Sequence, residues 1–463
     1  MSGNSLDCLE GAAAERGEQK NAWLLQALKR NRNTAYLKQF GSPETVTAFQ
    51  ERVPVCVYED LAPWLVRIQA GEANILFAGR PVAYERTGGS AGGAKLIPYT
   101  DAGLSDFQND IAPWLMHTIQ AHRITGRVYF SISPATRQIE FNHGIPVGLP
   151  DAAYLGEIAG GMLTAMTAVP FDVANLSDVT QWRQRTLAYL KAASDLELIS
   201  VWSPTFLLRL LDEIPDPQAC WPRLKIVSCW ASASSRRFAD EVQRRLPHAR
   251  LQPKGLLSTE AVVTVPDRQG RPLPAPHVFI EYAKDGRFFL EDALQMGEAY
   301  EAIVTTANGL YRYRTGDWLR CEGHTKQGRP ILEFVGRGTL TCDLVGEKLN
   351  EPFVAHCLQA LSALPLFSML LPDADRPGYV LICTRVPGKA VLAQLEALLC
   401  ANPQYAYARR LGQLAPLRVL THPEPFRVVE RTLLSRGARL GDIKPLALRR
   451  ETFWLPLFES FYP

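Results

Sequence analysis

Leu224-Lys225-Ile226-Val227-Ser228-Cys229-Trp230 is a short apolar run, and a turn of small residues, Ala231 to Ser235, follows it. Phe238, Val242 and Leu246 then recur at i, i+4 and i+8, with Arg236, Arg237, Arg244 and Arg245 mostly on the wet side. The first run reads as a buried strand and the second pattern as a helix with one apolar face. Another short apolar stretch leads on into Gly255-Leu256-Leu257-Ser258-Thr259-Glu260. Strand, tight turn, helix and strand is the repeating unit of an α/β layer fold, and the same rhythm runs from about Tyr99 to about residue 335.

Upstream, Asn21 to Tyr99 reads as helical and then mixed, with Leu24, Leu25 and Leu28 on one face of an opening helix. Downstream the texture changes. A helix is expected near 351–363, a strand at Tyr379 to Cys383, and a helix with Val391, Leu392, Leu395, Leu398 and Leu399 on one stripe. A last strand is expected near Leu417 to Leu420, which makes the tail a small α+β domain of ordinary size. The hinge is expected at Arg337 to Leu340, where Gly336 and Gly338 free the backbone. The prediction is therefore α/β, with a large multi-layer N-terminal domain (1–338) and a smaller, mobile α+β C-terminal domain (339–463).

The chain has 463 residues, 50 Lys+Arg against 47 Asp+Glu, 47% apolar residues and 21% charged. Length alone suggests two or three structural units at ~150 residues each. The composition is that of a globular protein, which excludes disorder, a stapled miniprotein and a collagen-like fibre. A net charge of +3 leaves no global electrostatic footprint for nucleic acid. The Arg236-Arg237 and Arg244-Arg245 pairs read as solvated helix faces. Nine cysteines at irregular spacing, with no C-x-x-C pair, fit reduced thiols in the cytoplasm better than a disulfide framework or zinc ribbon. Eight scattered His form no H-x-x-H or H-E-x-x-H, so a metal cage of protein side chains is not expected. The N-terminus lacks a signal-peptide layout, and the longest apolar run, Ile158 to Phe171, is too short for a bilayer. A monomer or weak dimer with no membrane partner is expected.

Three segments carry chemistry. Thr87-Gly88-Gly89-Ser90-Ala91-Gly92-Gly93-Ala94-Lys95 has four glycines in nine residues, two hydroxyls and a closing lysine. Such a loop suits backbone amides and hydroxyls wrapped around phosphate oxygens; it also suits a plain Gly-rich turn. It is neither a P-loop nor a dinucleotide fingerprint. Ser258-Thr259-Glu260 sets an acid among apolar residues, which fits Mg²⁺ bridging phosphates; the commoner origin of such a pattern is a helix N-cap with a first-turn acid. Tyr311-Arg312-Tyr313-Arg314-Thr315-Gly316-Asp317 places Asp317 just past a glycine, where two carboxylate oxygens suit two ribose hydroxyls, or where an ordinary β-turn falls.

The order of these motifs, closed by Phe334-Val335-Gly336-Arg337-Gly338, resembles the adenylate-forming enzymes. Within them the chain is most similar to the acyl-acid amido synthetases typified by the plant auxin-responsive proteins, in a shorter bacterial-like form. The resemblance spans Val53-Pro54 through Tyr58-Glu59-Asp60-Leu61, Lys95 to Thr100, Gln252 to Glu260 and Leu310 to Asp317. It continues at Gly346-Glu347-Lys348-Leu349-Asn350-Glu351 and ends at Leu440-Gly441-Asp442-Ile443-Lys444-Pro445.

The resemblance implies a role for each matching residue. Thr87, Gly88, Ser90, Gly92 and Lys95 match the phosphate-binding loop. Gly255, Ser258 and Thr259 would lie near the AMP phosphate, with Glu260 as the Mg²⁺-associated acid. Asp317 matches the ribose-binding residue, Arg337 the basic residue at the hinge, and Lys444 the C-terminal-domain lysine that reaches phosphate and carboxylate. The family loop often begins Ser-Ser-Gly-Thr-Ser, whereas this one reads Arg86-Thr87-Gly88-Gly89-Ser90 and lacks a hydroxyl at Gly89. The expected reaction uses ATP and Mg²⁺ to activate a carboxylic acid as acyl-AMP, then transfers the acyl group to an amine, in specialised-metabolite biosynthesis or hormone-like conjugation. The alternative is a ligase forming CoA thioesters through the same adenylate. A non-enzymatic nucleotide-binding protein and a nucleic-acid-binding protein are the other readings. Met162, Met166, Trp202 and Trp230 are candidate walls of the acyl pocket, though such residues are more often plain core; Ser232 and Ala233 join them because their turn follows a strand where the resemblance implies that adenine and acyl group bind.

Overall fold

The computed structural model describes residues 13–87, 95–130, 140–149, 154, 161 and 164–460. Ile226–Cys229 is the strand expected from the opening sequence. It lies in a four-stranded parallel sheet between Leu196–Ser200 and Arg250–Pro253, with Arg127–Phe130 at the other edge. Register aligns Phe130, Ser200, Ser228 and Gln252 across the four strands. On one face Val128, Leu198 and Ile226 pack against Leu115 and Ile119 of helix Asp101–Ala121. On the other, Tyr129, Ile199 and Val227 meet Trp182, Phe206 and Phe238 from helices Val179–Ala192, Pro204–Leu211 and Arg236–Arg245. Both faces are covered, which is why these strands read as continuous apolar runs.

Helix Arg236–Arg245 buries Phe238 and Val242 as its spacing required. One arginine departs from the expected wet side. Arg237 is half-buried and donates to the carbonyls of Leu364 and Pro365, at 3.1 and 3.2 Å, joining this helix to the C-terminal part of the chain.

An antiparallel five-stranded sheet follows, in the order Arg287–Phe289, Phe279–Lys284, Ala299–Thr305, Tyr313–His324, Pro330–Arg337. Its core is shared with the opening helix Ala13–Asn31, which buries Leu24 and Leu28 and leaves Leu25 half-buried. A smaller sheet, whose strands include Ala83–Arg86 and Leu96–Tyr99, carries the base of the Gly-rich loop.

The C-terminal part has a three-stranded sheet of Ser368–Asp373, Gly378–Cys383 and Arg418–Thr421, with helices Glu351–Gln359 and Lys389–Leu399. The first helix ends at Gln359, short of residue 363, with Ala360 as its cap. In the second, Leu395 and Leu399 are buried and the remaining apolar positions are half-buried. The chain is thus α/β with a large N-terminal domain and a smaller C-terminal one.

At the junction glycines close packing adds to the backbone freedom expected of them. A Cβ on Gly336 would lie 2.4 Å from Cγ of Pro352, at a φ of +146°. One on Gly338 would lie 2.5 Å from the Trp318 indole nitrogen. Both are glycines because helix 351–359 and Trp318 close on the backbone here. Among the described residues no helix is long and apolar enough to cross a membrane, and the eight described cysteines are free thiols.

Candidate active site

Asp317 lies directly opposite Arg337 in the antiparallel sheet. The Arg337 Nε donates to Asp317 Oδ1 at 2.8 Å, an opposite-charge cross-strand pair. Asp317 is only 1% exposed, and its second oxygen, Oδ2, is buried with no hydrogen-bond partner among the described residues. An orphaned carboxylate oxygen costs the full desolvation penalty of that atom, and native proteins keep such atoms for a reason.

Glu260 sits in a tight reversal, where Leu257 bridges Val262. The Ser258 amide donates to the Ala261 carbonyl at 3.0 Å, and the Ala261 amide returns to the Ser258 hydroxyl at 3.2 Å. The segment is therefore a hairpin turn and not the start of a helix, and the Ser258 hydroxyl closes the turn. Tyr99 fixes it from the neighbouring sheet by donating to the Thr259 carbonyl at 2.8 Å. Gly255 is needed for another reason: a Cβ there would lie 1.9 Å from the Thr264 carbonyl oxygen. Gly255→Ala should therefore lower the thermal midpoint, since overpacking against backbone costs about 1–3 kcal/mol or more. A melting curve checks this; an unchanged midpoint contradicts it.

Lys444 arrives from the far end of the chain. Leu440 and Ile443 are buried in the same cluster as Phe206 and Val227, so the lysine is held against the N-terminal domain by its two neighbours. Its Nζ lies 5.1 Å from the centre of the Trp230 ring. The side chain reaches solvent through the cleft, yet its walls crowd it. Burial lowers its pKa first and the positive charge of Arg337 lowers it further, while Asp317, Glu260 and Asp442 oppose the shift. Two carboxylates, one guanidinium and one ammonium from separate parts of the chain therefore share one cleft. The Asp317 carboxylate raises Arg337 further above its ordinary value, with burial opposing.

The Gly-rich loop is only partly described. Gly88, Ser90 and Gly92 lie outside the described residues. At its base the Thr87 amide donates to the Lys95 carbonyl at 2.9 Å, and the Thr87 hydroxyl is buried with no partner among the described residues. The Lys95 ammonium does not join the Asp317–Lys444 group: it pairs with Glu59 at 3.1 Å and lies 4.5 Å from the Tyr58 ring centre.

Among the acyl-pocket candidates, Trp202 and Trp230 stand 6.2 Å apart at 38°. Met166 packs half-buried beside Leu115 and Ile119, and Met162 lies outside the described residues. Ser232 and Ala233 open the turn after strand 226–229, and the Ala233 carbonyl accepts from Gln359 of the C-terminal domain at 2.7 Å. That turn is a domain contact, since Ser234 also bonds Glu351. A second contact sets Arg439 3.8 Å from Glu85, whose carboxylate holds Tyr154 and the Leu149 amide.

Two family regions match the chain: the GH3 family N-terminal domain over residues 6–216 and the GH3 family central domain over residues 279–337. A probable indole-3-acetic acid-amido synthetase of Oryza sativa subsp. japonica is 34% identical, over 95% of this chain and 88% of its own length. The chain belongs to the GH3 family. An Arabidopsis thaliana relative, indole-3-acetic acid-amido synthetase GH3.15, is 24% identical over 84% of this chain and 81% of its own length. A solved GH3.15 acyl acid amido synthetase in complex with 2,4-DB superimposes with a TM-score of 0.86 at 18% identity, covering 98% of this chain and 95% of that one. A 2-hydroxyisobutyryl-CoA ligase in its postadenylation state shares the fold at a TM-score of 0.61 and 15% identity, over 92% and 93%.

In this GH3 chain the Glu85–Arg439 and Ser234–Glu351 contacts have no local sequence signal, because each joins residues more than 100 positions apart. Lys254, inside the Gln252 to Glu260 segment, is a further residue of the site region that motif spacing does not single out. The available signal was its place just past the carboxyl end of a parallel strand, where α/β folds bind ligands.

Proposed function

We propose that this GH3 protein is an ATP-dependent amide synthetase that activates a carboxylic acid as acyl-AMP and passes the acyl group to an amine. Family membership supports the reaction class. The observation that carries the site is the orphaned Asp317 Oδ2 in a cleft that also holds Glu260, Arg337 and Lys444. Residues 1–338 form the adenylation domain and 339–463 the cap.

In the first step a substrate carboxylate oxygen attacks the α-phosphorus of ATP, and the bond to pyrophosphate breaks. Both reactants are anions and repel each other, so the cleft must supply positive charge at the point of attack. Lys444 supplies it from the cap. Asp317 accepts ribose hydroxyls on Oδ2, while Arg337 holds Oδ1 and fixes the carboxylate's orientation. The Thr87 hydroxyl and the loop amides take the phosphates, and Lys95 leaves Glu59 to join them.

Among the described residues no three His, Cys, Asp or Glu side chains form a cation cage. Glu260, 6% exposed, fits the other kind of Mg²⁺ site, in which one carboxylate and the phosphates share the ion. When bound, Mg²⁺ neutralises phosphate charge. In the second step the amine nitrogen attacks the acyl carbon, the bond to AMP breaks, and the amine loses a proton. Lys444 moves away for this step, which requires Leu440 and Ile443 to leave their apolar cluster.

AMP release tests the amide reading against thioester formation. Pre-adenylated enzyme should release AMP on addition of an amine and stay unreactive toward CoA. Release driven by CoA alone would replace the amide assignment with the thioester one.

A further inference from the structure

Lys254 is 8% exposed and is held by no carboxylate among the described residues. Its Nζ makes one hydrogen bond, to Ser200 Oγ at 2.7 Å, and lies 5.0 and 4.9 Å from the ring centres of Trp114 and Trp202. An ammonium has three donors, so two of them have no hydrogen-bond partner among the described residues. A buried charge without a counter-charge is among the costliest features a fold can carry.

The neighbourhood is polar beyond this one residue. Ser200, Ser228 and Gln252 stand side by side at the carboxyl ends of adjacent parallel strands, and Lys254 follows Gln252 by two positions. Ser228 Oγ, Gln252 Oε1 and the Trp114 indole nitrogen are all buried with no partner among the described residues. Four under-satisfied groups converge at the position where α/β sheets receive ligands. Trp202 links this pocket to the cleft: its ring adjoins Trp230, and Lys444 covers Trp230. The two ammonium groups therefore flank one indole pair.

We propose that Lys254 anchors a second anionic group on the acyl acid, so that the preferred substrate is a dicarboxylate-type acid lying along Trp202 and Trp230. This rests on the adenylation reading: one carboxylate is activated beside Lys444, and the other ion-pairs with Lys254. A purely apolar acid would leave the ammonium and its neighbours dry and unpaired. Burial pulls the Lys254 pKa down to about 7. Burial also holds Cys229 up at about 12, so it stays neutral. Among the described residues no other titratable group acts on this lysine. The free enzyme therefore loses the charge as pH rises through about 7, and an incoming anion restores it.

The test uses matched probes, terephthalate against 4-methylbenzoate and the C4–C10 straight-chain diacids against monoacids of equal length. Binding is read by tryptophan fluorescence, and turnover by acid-dependent ATP–pyrophosphate exchange. Wild type should bind at least one diacid about 30-fold more tightly than its monoacid, a factor in keeping with one charge-assisted pair. Lys254→Met should abolish that preference while binding the monoacid as well or better. Its diacid affinity should no longer fall above pH 7. Removing an unpaired buried charge should also raise the thermal midpoint, so loss of fold does not confound the result. Ser200→Ala, which keeps the lysine, should weaken the preference only partly. The proposal is overturned if no diacid outbinds its monoacid, if Lys254→Met weakens both alike, or if the pocket takes only water. Absence of exchange with Lys254-dependent binding intact would sink the adenylation reading and leave the anion site standing.

Discussion

Lys444→Ala should lower carboxylate-dependent ATP–pyrophosphate exchange by about 10²–10³-fold, the range for losing one preorganised group that meets developing charge. Amide formation from a supplied acyl-adenylate should change only a few-fold. The asymmetry follows from placement. Lys444 faces Asp317, Glu260 and Arg337 across the cleft, where the two anions have to approach each other. The amine step needs no such charge, and it needs room. Leu440 and Ile443 anchor the segment independently of the lysine head group, so the variant should keep its fold and thermal midpoint. Equal losses in the two assays would defeat the assignment, because a merely structural lysine would damage both.

Asp317→Asn should lower kcat/KM for ATP by about 30- to 150-fold, corresponding to about 2–3 kcal/mol for hydrogen bonds to a charged acceptor. The substitution keeps the shape and removes the charge. It also leaves Arg337 facing a neutral partner; that side chain is one-third exposed, so the stability loss should be small. The decisive comparison is with 2′,3′-dideoxy-ATP. Wild type should discriminate strongly against it, and the variant should treat both nucleotides nearly alike. Undiminished discrimination in the variant would remove Asp317 from ribose binding.

The sequence made some parts legible and hid others for physical reasons. Strand 226–229 and helix 236–245 were readable because burial on one face imposes a period, and Phe238 and Val242 obey it. Glu260 was readable as a candidate because an acid among apolar residues is costly, and Asp317 because it stands just past a glycine turn. The same argument cannot say what an acid or lysine is paired with. Lys95 meets Glu59 across 36 positions, and no local pattern signals that. Ser258-Thr259-Glu260 has the composition of a helix cap and forms a hairpin turn, because Tyr99 and Ala261 take its backbone groups first. Gly336 was readable as backbone freedom, which it uses at a φ of +146°, whereas the close approach of Pro352 and Trp318 had no local signal. Lys254 stayed hidden because its significance lies in the absence of a counter-charge among the described residues, which only three dimensions reveal.

The central claim is that one cleft activates a carboxylic acid with ATP. Acid-dependent exchange of labelled pyrophosphate into ATP, run over aryl, fatty and dicarboxylic acids, measures that step without requiring the amine. The account predicts exchange with at least one acid, dependent on Mg²⁺ and lost in Lys444→Ala. Exchange with no acid across the panel, from protein that still binds ATP, would contradict it.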